Sequence, residues 1–142
     1  MTTATLAQLV DAHGVQVDEH LDRQITVPIC AELQRQGDII VIPAAMAGRS
    51  GRHATTAVPG HGVAVVRGEN GGNTHLLLPS GDVFYDAGSP RAGELDLGVL
   101  TVADGAVGYL AHPEHGYAGI APGSYVVRRQ REQADEIRLV QD

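Results

Sequence analysis

Residues 63–85 read VAVVRGENGGNTHLLLPSGDVFY, and their punctuation decides the fold. Two short apolar runs, Val63 to Val66 and Thr74 to Leu78, flank the turn-forming stretch Glu69-Asn70-Gly71-Gly72-Asn73. That is the pattern of a β-hairpin, because glycine and asparagine tolerate the left-handed backbone of a tight reversal. Pro79-Ser80-Gly81-Asp82 then turns the chain into Val83 to Tyr85, which predicts a meander.

The same grammar continues outward. Ile39 to Ile42 forms the first strand of this region. Leu95 to Ala103 and Ala106 to Ala111 flank Asp104-Gly105 and predict a further hairpin, and Ser124 to Arg129 with Ile137 to Val140 complete the sheet. Many short strands in about a hundred residues imply a mainly β fold, a small antiparallel barrel or rolled sheet. The expected β unit is 37–142.

Residues 1–36 differ, and predict a short helical N-terminal extension. Leu6, Leu9 and Val10 recur at helical spacing, and His13-Gly14 supplies a last-turn cation and a glycine stop. Another short helix is expected near Asp18. A third is expected over Pro28 to Gln36, with Pro28 in its first turn, Glu32 and Arg35 three apart, and Gly37 closing it.

Composition limits the chemistry. The 142 residues hold ten arginines and no lysine, which removes Schiff-base, phosphate-loop and lysine-base mechanisms. A formal charge of −7 argues against sequence-independent nucleic-acid binding, which needs cationic surplus to displace phosphate counterions. The single cysteine, Cys30, has no internal partner for a disulfide or thiolate site, so a reducing, cytoplasmic compartment is expected. No signal peptide or apolar span is visible, and no membrane association is expected. The four serines sit in glycine- or proline-containing turns and none lies in a nucleophile elbow.

One local concentration carries chemistry. His112-Pro113-Glu114-His115 places two imidazoles and a carboxylate at a strand end, and Pro113 argues against a helix there. His75 is the natural third imidazole, leaving the hairpin two residues after Asn73 and on the same strand face. His75, His112 and His115 together are ligand types for one divalent transition ion, whether zinc, iron, nickel or manganese. Glu69 or Glu114 would act as a fourth ligand or a base. His61 and His53 lie in glycine-rich loops able to cover such a site. Arg128, Arg129 and Arg131, with Glu132, Asp135 and Glu136 close behind, read first as a salt-bridged, protected sheet edge and alternatively as a cationic edge for an acidic partner.

Three ordered segments resemble a group of small uncharacterised bacterial proteins. They are Gln36-Gly37-Asp38-Ile39, then Gly68-Glu69-Asn70-Gly71-Gly72-Asn73-Thr74-His75, then His112-Pro113-Glu114-His115 followed by Ala121 to Val126 and Arg129-Gln130-Arg131-Glu132. The middle segment is similar to that group's G-E-x-T-G-H-x-H pattern, and the last to its H-x-E-H, P-G-x-Y and R-Q-R-E run. Asn73 stands where the pattern has histidine and Gly71 where it has threonine. An amide is a poor transition-metal ligand, so either the site keeps His75, His112 and His115 only, or it has lost the metal and kept the fold.

The reading from sequence is a non-catalytic binding or assembly module with a protein partner or a copy of itself, with or without a histidine-rich divalent-metal site. Asn73, His61, Arg129 and Arg131 are its further binding residues. The alternative is a metal-dependent hydrolase in which the ion lowers the pKa of bound water and Glu69 or Glu114 takes the proton.

Overall fold

A computed structural model describes residues 3–49, 51–66, 74–88 and 96–129. The predicted stretches around Glu69, Asn73, Arg131 and 137–140 lie outside the described residues. The elements in chain order are β1 (Ala4–Thr5), α1 (Leu6–His13), β2 (Thr26–Val27), β3 (Ile29–Cys30), β4 (Gln34–Gln36), β5 (Ile39–Pro43), β6 (Val63–Val66), β7 (His75–Ser80), β8 (Val83–Ala87), β9 (Asp96–Val102), β10 (Val107–His112), β11 (Gly116–Ile120) and β12 (Gly123–Arg129). The chain is mainly β, as its turn spacing predicts.

Two five-stranded sheets dominate, ordered β3-β11-β10-β7-β6 and β4-β5-β12-β9-β8, and β1 pairs with β2 beside them. Among the described residues no strand pairing closes the two sheets into a barrel. They pack against each other through alternate residues, because successive strand side chains point to opposite faces. Leu77, Leu110 and Ile120 of the first sheet meet Ile39, Val41, Val83, Tyr85, Leu100, Tyr125 and Val127 of the other in one core. Burying each such aliphatic side chain contributes about 1.5–3 kcal/mol.

The connections differ from the predicted meander. β6 and β7 do form the expected hairpin, with Val63 opposite Leu77 and Val66 opposite His75. The turn at Gly81-Asp82, however, carries the chain from the first sheet to the second, and Asp104-Gly105 carries it back. A tight turn fixes a reversal of direction and not the neighbour of the next strand. What places β10 is its content, since all six of its residues are buried and need sheet or helix on both faces. The two crossings lie side by side. Ala103 N–H donates to the Asp82 carbonyl at 3.0 Å, and a Cβ on Gly81 would sit 3.0 Å from that of Ala106.

The outer face of the first sheet is covered by the amino-terminal segment. α1 forms as its sequence predicts, with Thr5 accepting from Gln8 N–H at 3.2 Å, Gln8 Oε1 accepting from Thr5 N–H at 2.8 Å, and Gly14 ending it at φ +79°. Leu6, Leu9, Val17 and Val27 pack on Leu78, Tyr109, Ala111 and Tyr117. The segment therefore docks on the chain's own sheet.

Two predicted helices are absent. The stretch after Asp18 is turns and bends, held by Arg23 Nη1 and Nη2 donating to the Asp18 and Val17 carbonyls at 3.2 and 3.0 Å. Residues 28–36 hold β3 and β4, so Cys30 sits on a strand. The Pro28 and Cys30 carbonyls accept from Gly119 and Ala121 N–H at 3.1 and 3.0 Å, building a short parallel pair with β11. Hydrogen bonds to a waiting strand edge outweigh the modest helix propensity of these residues. Gly119 permits the approach, since a Cβ there would lie 2.7 Å from the Pro28 oxygen.

Candidate functional site

The β4–β5 hairpin turns through Gly37 and Asp38, with Gln36 opposite Ile39. Gly37 has φ +58°, the left-handed backbone that a two-residue hairpin loop requires at its first position. This turn puts Gln36 and Asp38 on either side of the His75 ring. Gln36 Nε2 donates to the Leu110 and Gly116 carbonyls at 2.8 and 3.1 Å, which fixes the amide so that its oxygen faces His75. That oxygen lies 3.0 Å from His75 Nδ1. The ring proton is thereby held on Nδ1, and Nε2 keeps its lone pair. On that side, Asp38 Oδ1 stands 3.6 Å from His75 Nε2.

His75 and His112 are buried. Desolvation first, and then the charge that His112 would carry, push the His75 pKa down to about 4, against the opposing pull of Asp38. At neutral pH the ring is uncharged, a Lewis base beside an acceptor-only carboxylate. Asp38 is steadied from the far side by Arg129, whose Nε donates to Oδ2 at 2.9 Å. Arg129 ends β12 opposite Ile39, so strand register delivers the guanidinium to the turn.

His112 ends β10 and His115 sits in the turn to β11. Their rings lie 4.6 Å apart, and His75 lies 4.3 Å from His112 and 6.3 Å from His115. The structure thus brings together the three imidazoles that the sequence singles out. His112 differs chemically from the other two. Its Nδ1 accepts the N–H groups of Glu114 and His115 at 3.1 and 3.3 Å, so its proton resides on Nε2. His115 is exposed, and its Nε2 lies 3.0 Å from where a Cβ on Gly37 would be, with His75 Cε1 at 3.4 Å from the same point. Only glycine leaves both rings this close to the turn.

Other expected residues fall elsewhere. Glu114 is exposed in the β10–β11 turn, and its backbone N–H is what reaches His112. His61 is exposed before β6, beyond the Val63–Leu77 pair and so at the far end of that ladder from His75. His53 Nδ1 meets Ser124 Oγ at 2.9 Å, and Ser124 meets Thr101 Oγ1 at 3.0 Å, a staple that holds the loop before it on the β4–β8 sheet. Glu69, Asn73 and Arg131 lie outside the described residues.

Asp38 and Gln36 are the site residues that sequence reasoning missed. Both stand in the Gln36-Gly37-Asp38 segment, where an aspartate after glycine reads as turn chemistry. Among the described residues, no three histidine, cysteine, aspartate or glutamate side chains are gathered closely enough to enclose an ion as they stand. Among the same residues no helix is long and apolar enough to cross a membrane.

No curated protein and no solved structure matches the chain. A family model does, over residues 35–130, a span that starts one residue before Gln36 and includes His75, His112, His115 and Arg129. The chain belongs to the family described as a domain of unknown function, DUF8820.

Proposed function

We propose that the chain is a binding module that holds one divalent transition metal between His75 Nε2, Asp38 Oδ1 and His115. The observation that carries the reading is the 3.6 Å separation of His75 Nε2 and Asp38 Oδ1, two lone-pair atoms with no proton to share. Two ligand atoms each ~2.1 Å from one tetrahedral ion lie ~3.4 Å apart, so an ion fits between them with little movement. His115 is the third ligand, reached by rotation of an exposed side chain beside Gly37. Gln36 is the supporting contact that sets the His75 tautomer, the role a further hydrogen bond commonly plays for a ligating imidazole. His112, protonated on Nε2, packs against both rings and is a wall of the site. Two imidazoles and a carboxylate suit zinc, iron, nickel or manganese.

The test is metal titration of untagged, metal-stripped protein, read by calorimetry and by elemental analysis after dialysis. The expected result is one ion per chain, with affinity lowered tenfold or more in Asp38→Asn and lost in His75→Ala, each with its circular dichroism unchanged. Binding that is absent, or indifferent to Asp38→Asn, defeats the reading.

A further inference from the structure

Arg129 is committed to the site by only one of its nitrogens. Its Nε holds Asp38 Oδ2 at 2.9 Å, and its two terminal nitrogens face no acceptor among the described residues. A guanidinium that stabilises a carboxylate alone commonly does so with two parallel bonds, which satisfies more of its donors. Among the described residues, up to four N–H groups of the fork are therefore left without an acceptor.

The exposure around the cluster says where that something would enter. His75 and His112 are buried, whereas the Asp38 and Arg129 side chains are 39% and 47% exposed and His115 is exposed. The imidazole wall is therefore inside and the mouth is formed by Asp38, His115 and Arg129. An ion on His75 and Asp38 would have its remaining position on this mouth, beside the guanidinium. Passing from Arg129 Nε through the Asp38 carboxylate, the ion would lie within ~7 Å. One carboxylate or phosphate group covers that span, with an oxygen ~2.1 Å from the metal and another ~2.8 Å from a guanidinium nitrogen.

We infer that the ligand of this site is an anionic oxygen compound, a carboxylate or a phosphate, that completes the shell of the metal ion and is gripped by Arg129. The inference rests on the metal-binding reading above. It also gives a role to the cationic residue in a chain of formal charge −7, whose surface otherwise repels anions.

Cobalt(II) loaded at one equivalent serves as the reporter, because its visible absorption changes when a ligand enters its shell. Acetate and inorganic phosphate are titrated separately, with chloride as control. The expected result is a saturable spectral change with at least one of the two oxyanions and none with chloride at the same concentration, and the anion that acts tells carboxylate from phosphate. With each variant saturated with cobalt at its own affinity, Arg129→Gln should weaken the anion tenfold or more, and Arg129→Lys, which keeps charge without the fork, should weaken it by less. Cobalt that binds with no oxyanion effect, or with an effect unchanged in Arg129→Gln, overturns the inference and leaves the metal site standing. Cobalt that does not bind overturns both. Thermal melts of each variant identify loss of fold, and if Arg129→Gln fails to fold, Arg129→Lys alone decides, a weakening of the anion beyond twofold supporting the inference and an affinity within twofold of the parent overturning it.

Discussion

Gln36 Oε1 lies 3.0 Å from His75 Nδ1, and the same amide's nitrogen bridges the Leu110 and Gly116 carbonyls. One buried side chain thus joins the β4–β8 sheet, through β4, to β10, to the start of β11 and to a histidine on β7. Gln36→Leu keeps the volume roughly and removes all three hydrogen bonds, leaving two carbonyls and an imidazole N–H without their partner. We expect a loss of about 3 kcal/mol in urea unfolding. In the protein that remains folded, the His75 tautomer is no longer fixed and metal affinity falls about tenfold or more. A variant that loses stability and keeps full metal affinity would show that Gln36 is only a structural tie.

Gly37 faces two demands at once, a left-handed backbone and the nearness of two imidazoles. Gly37→Ala meets both the conformational cost, about 1 kcal/mol, and a Cβ placed 3.0 Å from His115 Nε2. Gly48 has a similar φ of +69° with nothing within 4 Å of its would-be Cβ, so Gly48→Ala isolates the backbone part. Chemical denaturation should show Gly37→Ala costing about as much as Gly48→Ala, because the exposed His115 ring can turn away, and only the former should alter metal binding. Unaltered binding in Gly37→Ala would remove His115 from the site.

Much of this fold is readable in residue order. The helical spacing and glycine stop of α1 and the short apolar runs of β5, β7, β9 and β12 are local signals, and each produces the element it implies. The Asp104-Gly105 connection is not readable, because a turn dipeptide encodes a reversal while strand partnership depends on which faces must be buried. Residues 28–36 mislead for a related reason: their strand form exists only because β11 and β5 offer hydrogen bonds. At the site, the three imidazoles are legible by residue type. The tautomers are not, since the backbone N–H groups on His112 and the amide on His75 come from turn geometry and from a residue 39 positions away. Asp38 is hidden because turn chemistry already accounts for an aspartate after a glycine.

Burial of a neutral His75 makes the metal-free protein acid-sensitive. Its folded pKa, about 4, lies below the unfolded value of 6.5, so the unfolded chain binds more protons between those limits. The stabilisation is complete above pH 6.5 and is lost as pH falls from there toward 4. The full contribution is on the order of 3 kcal/mol. Urea midpoints of the metal-free protein should therefore drop between pH 7 and pH 5 by more than those of His75→Gln, which has no group to titrate. Parallel pH profiles for the two proteins would place the acid sensitivity on other groups.

The amino-terminal segment supplies the last test, because its packing distinguishes a structural layer from a free arm. Leu9 is 4% exposed among Leu78, Tyr109 and Tyr117, and the Tyr117 hydroxyl donates to the Val15 carbonyl at 3.0 Å. A free arm would tolerate truncation of Leu9 within about 0.5 kcal/mol. A layer that seals the outer face of the first sheet would not, since the cavity and the lost transfer energy add, and Leu9→Ala should cost about 2–5 kcal/mol. Tyr117→Phe removes one neutral hydrogen bond and should cost about 1 kcal/mol. A Leu9→Ala protein as stable as the parent in urea would mean that the segment leaves this sheet in solution, and that Leu78 and Tyr109 are covered by another molecule.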